Sequence, residues 1–195
     1  VDRFHHQKFG ERLMPLLNSL ATPYAEALLQ VTESRSESET VADQCKQLLD
    51  VWQNSADFRD AMVSPVLEPE AKKKVLQSLV GEQVTPSLLN LLKVLADRQR
   101  LLAFDAVMLR YLELYREQQG ITLAQVRSAQ TLSEVQQAAL SKKVQAMAGT
   151  AKVDIDLSVD PSLIGGFVVS LGSQVIDASL AGQVRRLGLA LAKAS

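Results

Sequence analysis

Apolar residues recur with the period of an α-helix through most of the first 120 positions. In the segment PYAEALLQV the spacing i, i+3, i+4 and i+7 is occupied by Tyr24, Ala27, Leu28 and Val31. This spacing places apolar side chains on one face of a helix. Thr22 can cap the first turn and Pro23 suits the first helical position, so the pattern predicts a helix that begins at Pro23.

Five further helices are predicted before Gly120 from the same period and from their end signals. They cover residues 41–52, 56–62, 69–80, 87–96 and 104–119. The first of these five carries its apolar residues on one stripe, namely Val41, Cys45, Leu48, Leu49 and Trp52. The segment SLLNLLKVLA at 87–96 is apolar nearly all round, which is typical of a helix at the centre of a bundle.

After Gly120 the apolar period changes to that of strands. Residues 121–129 mix β-branched and polar residues, and VDIDLSV at 153–159 alternates strictly, as a half-buried strand does. A helix is predicted between the two strands because two residue pairs fit the capping box, Thr131 with Glu134 and Ser133 with Gln136.

The end of the chain predicts a hairpin and a last helix. The hairpin joins residues 163–171 to 174–177 through Gly172-Ser173, a pair that suits a two-residue primed turn. One apolar stripe of the last helix is formed by Leu180, Val184, Leu187 and Leu191. The predicted fold is therefore two domains, an all-α six-helix bundle followed by a small α+β domain.

A change of composition places the domain boundary near Gly120. Residues 1–120 hold 14 basic and 17 acidic side chains, net −3, whereas residues 121–195 hold 7 basic and 5 acidic ones, net +2. Five of the nine glycines lie in the last 31 residues. We predict domains over 22–120 and 121–195, with residues 1–21 an N-terminal extension whose status the sequence leaves open.

The overall composition argues against several classes of protein. The net charge of −1 lacks the basic surplus of a general nucleic-acid or anionic-membrane binder. Cys45 is the only cysteine, which excludes an intramolecular disulfide. No apolar run approaches the ~18 residues that span a bilayer. The sequence predicts a soluble protein of a reducing compartment.

Candidate chemistry is sparse. His5 and His6 are the only histidines, and no ligands are predicted to converge with them. Asp154 and Asp156 share one face of a strand but read best as exposed carboxylates. The Gly165-Gly166 pair lies inside a predicted strand and opens no helix, so it does not predict a phosphate site. We expect Cys45 in the core and the run Lys72–Lys74 on a solvated face. No metal, cofactor or catalytic residue is predicted, and the chain reads as a binding protein.

The C-terminal stretch VDPSLIGGFVVSLGSQVIDASLAGQVRRL (159–187) resembles the delta subunit of the rotary ATP synthase, whose mitochondrial counterpart is the oligomycin-sensitivity-conferring protein. The family pattern is matched by Asp160, Leu163, Ile164, Gly165, Gly166, Gly172, Val175, Ile176, Asp177, Ser179 and Leu187. Four more segments agree in order, PYAEALLQV, SPVLEPEAKKKVLQSL, LLKVLADRQRL and VRSAQTLSEVQ. The resemblance covers residues 22–195.

This resemblance implies a non-catalytic stator subunit without cofactors. The helical domain is implied to bind the N-terminal segments of the α subunits of the catalytic head, and the C-terminal domain the b-type subunits of the peripheral stalk. Proton-driven rotation is thereby coupled to ATP synthesis. Membrane association is implied to be indirect, through the complex, on the cytoplasmic or stromal face of a bacterial inner membrane or thylakoid.

Three sets of site residues follow as expectations. A groove for the α-subunit segment is predicted at Tyr24, Ala25, Leu28, Leu88 and Leu92. The fold of the C-terminal domain is expected to depend on Gly165, Gly166, Asp177 and Ser179. The basic pair Arg185 and Arg186 is a candidate stalk contact. We also expect that Leu28→Asp abolishes α-subunit binding without unfolding the bundle.

One alternative belongs to another class. Helical bundles also occur in RNA-binding antitermination factors, so a nucleic-acid-binding regulatory protein is the second hypothesis. The net charge of −3 in the first 120 residues argues against it, because RNA binding needs a basic stripe with stacking aromatics.

Overall fold

A computed structural model describes residues 3–148, 152–172 and 174–186 of the chain. The chain divides into two compact units between Tyr115 and Arg116. Each unit has its own cluster of buried apolar side chains. A helical N-terminal region followed by a small α+β unit is therefore confirmed.

All regular elements in the described part of the first unit are helices, joined by short turns. They are α1 (Arg3–Ser34), α2 (Ser38–Asn54), α3 (Ala56–Val63), α4 (Pro69–Val80), α5 (Pro86–Asp97), a 3-10 helix (Leu101–Ala103) and α6 (Phe104–Gln119), whose last residues lie past the division between the units. Helices α2 to α6 confirm the predicted positions to within a few residues. Gly120, at a φ of 63°, follows α6 in the left-handed conformation that commonly ends a helix.

The predicted start of the first helix at Pro23 is wrong, because α1 begins at Arg3 and contains Pro23. An internal proline removes one backbone hydrogen bond at a cost of about 3 kcal/mol. The apolar stripe continues upstream of it, since Ala21 is fully buried and Leu17 and Leu20 pack against the core. The burial of these side chains offsets the free-energy cost of the internal proline. In α1 the side chains before residue 17, including His5 and His6, and that of residue 18 lie outside the description.

Helix α5 supplies much of the first core but is not buried on all sides. Leu88, Leu92 and Leu95 are fully buried, whereas Val94 is 44% exposed. The prediction of an all-round buried helix was therefore right for one face of α5 only.

An aromatic stack joins α2 to α6, with the ring centroids of Trp52 and Phe104 4.5 Å apart.

The second unit contains a four-stranded mixed sheet and two helical segments. Its elements are β1 (Thr122–Ser128), α7 (Glu134–Ala148), β2 (Val153–Val159), β3 (Phe167–Leu171) and β4 (Gln174–Asp177), and residues 180–186 are helical. The strand order is β2-β1-β3-β4, with β1 parallel to β2 and antiparallel to β3. The hairpin strand begins at Phe167, so Gly165-Gly166 lies in the preceding turn and not inside a strand as predicted. The predicted Ser173, Leu187 and Leu191 lie outside the described residues.

The core of the second unit lies between the sheet and α7. Val126 and Val169 are register partners on neighbouring strands, and Leu140 and Val144 of α7 belong to the same buried cluster. Of the two predicted capping boxes, Ser133 with Gln136 is the one at the helix start. The Ser133 backbone N–H donates to Gln136 Oε1 over 2.9 Å, and the Gln136 N–H donates to Ser133 Oγ over 3.4 Å.

Candidate interaction surfaces

An open apolar groove runs between α1 and α5. Its volume is about 240 Å³, and its lining residues are Ala27, Leu28, Val31, Arg35, Ser87, Asn90, Leu91 and Val94. Val31 and Val94 are 42% and 44% exposed. The groove can therefore receive apolar side chains without any rearrangement of the core.

Of the five predicted groove residues, Leu28 alone lines the open groove between α1 and α5. Ala25, Leu88 and Leu92 are fully buried, so they support the groove from within the core and do not line it. Leu28 lines the groove but is only 4% exposed. Tyr24 is half-buried, and its hydroxyl accepts a hydrogen bond from Arg100 over 2.7 Å.

The residues that sequence reasoning missed are Ala27, Val31, Leu91 and Val94. A signal was present, because Val31 stands on the predicted stripe three residues after Leu28. Burial of Leu28 also corrects the expectation that Leu28→Asp leaves the helices folded. A carboxylate at a position 4% exposed would be desolvated and unpaired, which unfolds the unit rather than testing binding.

One charged residue, Arg35, lines the groove within the described residues. Arg35 lies 3.4 Å from Ser87 Oγ, and Ser87 in turn donates to a Glu37 carboxylate oxygen over 3.0 Å. Outside the groove lining, the Arg100 guanidinium lies 5.8 Å from the centre of the Tyr24 ring. The Glu37 carboxylate offsets the charge of Arg35, so the apolar floor, and not the charge, suits the groove to an amphipathic helix.

A buried hydroxyl network fixes the C-terminal end of α1. Tyr111 Oη lies 3.1 Å from Thr32 Oγ1, and its hydroxyl donates to the Ser38 carbonyl over 3.2 Å. Burial raises the pKa of Tyr111 to about 12, so the hydroxyl keeps its proton at physiological pH. One wall of the groove is thereby tied to α6.

In the second unit, Asp177 and Ser179 start the helix at 180–186. Asp177 Oδ1 accepts hydrogen bonds from the Ser179 hydroxyl over 2.5 Å and from its N–H over 2.9 Å. Ser179 Oγ then accepts from the Gly182 N–H over 3.0 Å, which is an N-cap. The Ser179 hydrogen bonds, and secondarily the charges of Arg186 and Arg185, lower the pKa of Asp177.

Two glycines, Gly166 and Gly182, allow this arrangement to close. A Cβ on Gly166 would lie 2.4 Å from the Ala178 carbonyl oxygen, and Gly166 has a φ of 81°. A Cβ on Gly165 would lie 2.6 Å from a Leu180 methyl group, but the Leu180 side chain is 49% exposed and can move aside. A Cβ on Gly182, which sequence reasoning missed, would meet the Asp177 carboxylate at 2.5 Å. These residues are best explained as structural.

The two basic residues singled out near the C-terminus differ in their contacts. Both Arg185 and Arg186 are exposed. Arg186 donates to the Asp177 carbonyl over 2.9 Å and so completes the helix start. Nothing in the geometry assigns either residue to a partner.

Within the described ranges no three His, Cys, Asp or Glu residues are grouped so as to hold a metal ion. Cys45 is buried, and burial raises the pKa of its thiol. Asp154 is paired with Arg116 over 3.0 Å. Lys72 is only 6% exposed, which corrects the expectation of a solvated face for Lys72–Lys74. No helix among the described residues is long and apolar enough to span a membrane.

The described chain is thus a helical unit with an open apolar groove, followed by a small α+β unit. A family model described as "ATP synthase delta (OSCP) subunit" matches residues 20–191. The chain is 90% identical over 182 residues to the ATP synthase subunit delta of Parasynechococcus marenigrum, which covers 93% of this chain and 100% of that protein. It is 64% identical over 180 residues to the organellar chromatophore ATP synthase subunit delta of Paulinella chromatophora, covering 92% and 99%.

The fold is also similar to that of a solved structure. A chain of the cryo-EM structure of the Toxoplasma gondii mitochondrial ATP synthase hexamer is similar with a TM-score of 0.67 at 23% identity, covering 88% of this chain and 97% of that one. The chain therefore belongs to the ATP synthase delta (OSCP) subunit family. As a member it is a structural, coupling subunit and not an enzyme. These similarities give the RNA-binding alternative no support.

Proposed function

We propose that this protein is the stator link of an ATP synthase. Its first unit binds the N-terminal segments of the α subunits of the catalytic head, and its second unit binds the b-type subunits of the peripheral stalk. The head is thereby held still while the central shaft turns, so that proton-driven rotation is converted into ATP synthesis. The observation that carries this proposal is the open apolar groove between α1 and α5.

The groove supports the head contact in its shape and its chemistry. Val31 and Val94 are exposed apolar side chains on facing walls, and Leu28 forms the floor. Burial of such side chains by a partner stabilises a complex by about 1.5–3 kcal/mol for each side chain fully covered. A few of them suffice for a tight, non-reactive contact, which is what a link under torque needs.

The domain assignment has the same basis. We assign head binding to residues 22–120, arranged as a six-helix bundle, and stalk binding to 121–195, with Arg185 and Arg186 as candidate contacts. Separate cores support this division, because each unit can stay folded while its neighbour is pulled.

The location follows from the complex. The protein is attached to its membrane through other subunits, on the cytoplasmic or stromal face. Relatives from Parasynechococcus and from the Paulinella chromatophore support a thylakoid or bacterial inner membrane.

A truncation tests the two-ended arrangement. A fragment of residues 1–120 keeps α6 whole, and we expect it to bind the catalytic head but not the soluble part of the b-type stalk subunits. The full chain is expected to hold both in one complex, measured by size-exclusion chromatography with mass detection. Circular dichroism of the fragment controls for folding. A folded fragment that still retains the stalk would contradict the assignment.

A further inference from the structure

The second unit contains an apolar pocket at the end of β1 that the Asp177–Ser179 motif does not use. It lies between α7 and the turn before β3, with a volume of about 510 Å³. Leu132 and Leu140 line one side, and Ile164 and Phe167 line the other. The pocket is therefore apolar on facing walls, as a docking site for apolar side chains is.

The Ile164 side chain is exposed to solvent on a turn whose backbone is hydrogen-bonded on both sides. This side chain is 83% exposed. On either side, the Ser162 N–H donates to Asp160 Oδ1 over 3.0 Å and the Leu180 N–H donates to the Gly165 carbonyl over 2.9 Å. The Ala129 N–H donates to the Gly166 carbonyl over 3.2 Å. Because Ile164 adjoins the apolar lining of the pocket, the two form one contiguous apolar patch, which marks a surface that a partner covers.

One basic side chain lines the pocket. Among the described lining residues Lys143 is the only charged one, and the exposed Lys142 is its neighbour on α7. No acidic side chain lines the pocket within the described ranges. An acidic partner is therefore favoured over a basic one.

The shape of the site favours a helix over an added strand. Strands β1 and β3 end at the pocket, and both are inner strands whose two edges are already paired. They offer no free backbone edge for strand addition. The pocket is also too large for a single apolar side chain, so it suits two neighbouring anchors one helical turn apart.

We propose that this pocket is the main stalk contact of the protein, and that it receives an acidic amphipathic helix of a b-type stalk subunit. The helix places apolar anchors against Ile164 and Phe167 and a carboxylate near Lys143. This inference rests on the proposed function, because that function supplies the stalk as partner. It moves the contact from Arg185 and Arg186 to the other side of the Gly165-Gly166 turn.

Binding of the soluble part of the stalk to the full chain tests the pocket. We expect Ile164→Asp to weaken binding at least about tenfold, because a carboxylate would be buried without a partner. Lys143→Glu is expected to weaken it more at low than at high ionic strength. Val175→Asp is the matched control, since Val175 is 65% exposed on the opposite face of the sheet. Unchanged binding by Ile164→Asp overturns the site.

A cross-link in the assembled complex separates failure of the pocket from failure of the stator function. Because Cys45 is buried, a photo-cross-linker attaches selectively to Ile164→Cys or, as comparison, Arg186→Cys. A cross-link from position 164 to a b-type subunit supports the proposal. Cross-links to the stalk from position 186 alone overturn the pocket but leave the stator function. A cross-link from 164 to an α subunit or to a second copy overturns the pocket, and a full chain that binds no stalk at all overturns the function itself.

Discussion

Replacing Val31 and Val94 together by aspartate is expected to abolish binding of the α-subunit N-terminal peptide, with affinity at least about 100-fold weaker. Both side chains are nearly half-exposed in the free protein. The new carboxylates therefore stay hydrated until a partner arrives, and they lose that hydration only in the complex. The loss is measured by titrating the peptide into the full chain by calorimetry.

The groove also provides a sharp control for this result. Leu109 is 52% exposed on α6 and does not line the groove, so Leu109→Asp introduces one such carboxylate, half the charge change of the double variant, at a site that should not matter. Thermal midpoints of the three proteins are expected to lie close together. Equal peptide affinity of the Val31→Asp/Val94→Asp protein and the parent would remove the groove from the head contact.

The second large effect is on stability, at Gly166. We expect Gly166→Val to lower the free energy of unfolding of the second unit by about 2–5 kcal/mol, from the left-handed φ and from overpacking together. The valine Cβ would meet backbone at the Ala178 carbonyl and at Ser179 Cα, which a rotamer change cannot relieve. Thermal denaturation followed by circular dichroism measures the loss.

Gly172 separates the two causes of that loss. Its φ is also positive, 56°, but a Cβ there meets nothing within 4 Å. Gly172→Ala should therefore show only the conformational cost, about 1 kcal/mol, whereas Gly166→Ala adds the clash. If both alanine variants lose the same stability, the close approach of the turn to residues 178 and 179 has no energetic weight.

Helix α5 shows how much of the groove could be predicted from the sequence. Apolar period and end signals located this helix, because Pro86 at its start and the leucine spacing are local features. The buried and the exposed face of α5 carry the same kinds of apolar residue. The local sequence pattern therefore cannot distinguish Leu92, which is buried, from Val94, which is exposed to solvent. That distinction depends on where α1 lies, which is a tertiary fact.

The start of α1 shows a local signal overruled by packing. Thr22-Pro23 is a good helix start by itself, yet Ala21 is buried and the helix continues through the proline. A single-residue preference of a few kcal/mol is outweighed when the apolar stripe extends upstream.

The C-terminal motif shows the opposite case, in which the sequence located the residues and their structural role but not the contacts through which they act. Asp177 and Ser179 stand two apart, which suits a helix start, and their hydrogen bonds follow from that spacing. Gly182 is needed because a carboxylate passes where its Cβ would be. The spacing of residues along the sequence does not predict this close contact between the Asp177 carboxylate and Gly182.

The measurement that tests the stator account most directly is proton-driven ATP synthesis in membrane vesicles depleted of this protein. The account predicts that the full chain restores synthesis. It also predicts that an equimolar mixture of residues 1–120 and 121–195, each able to bind its own partner, does not, because force must pass through one continuous chain. Restoration by the mixture, or undiminished synthesis by the depleted vesicles, would contradict it.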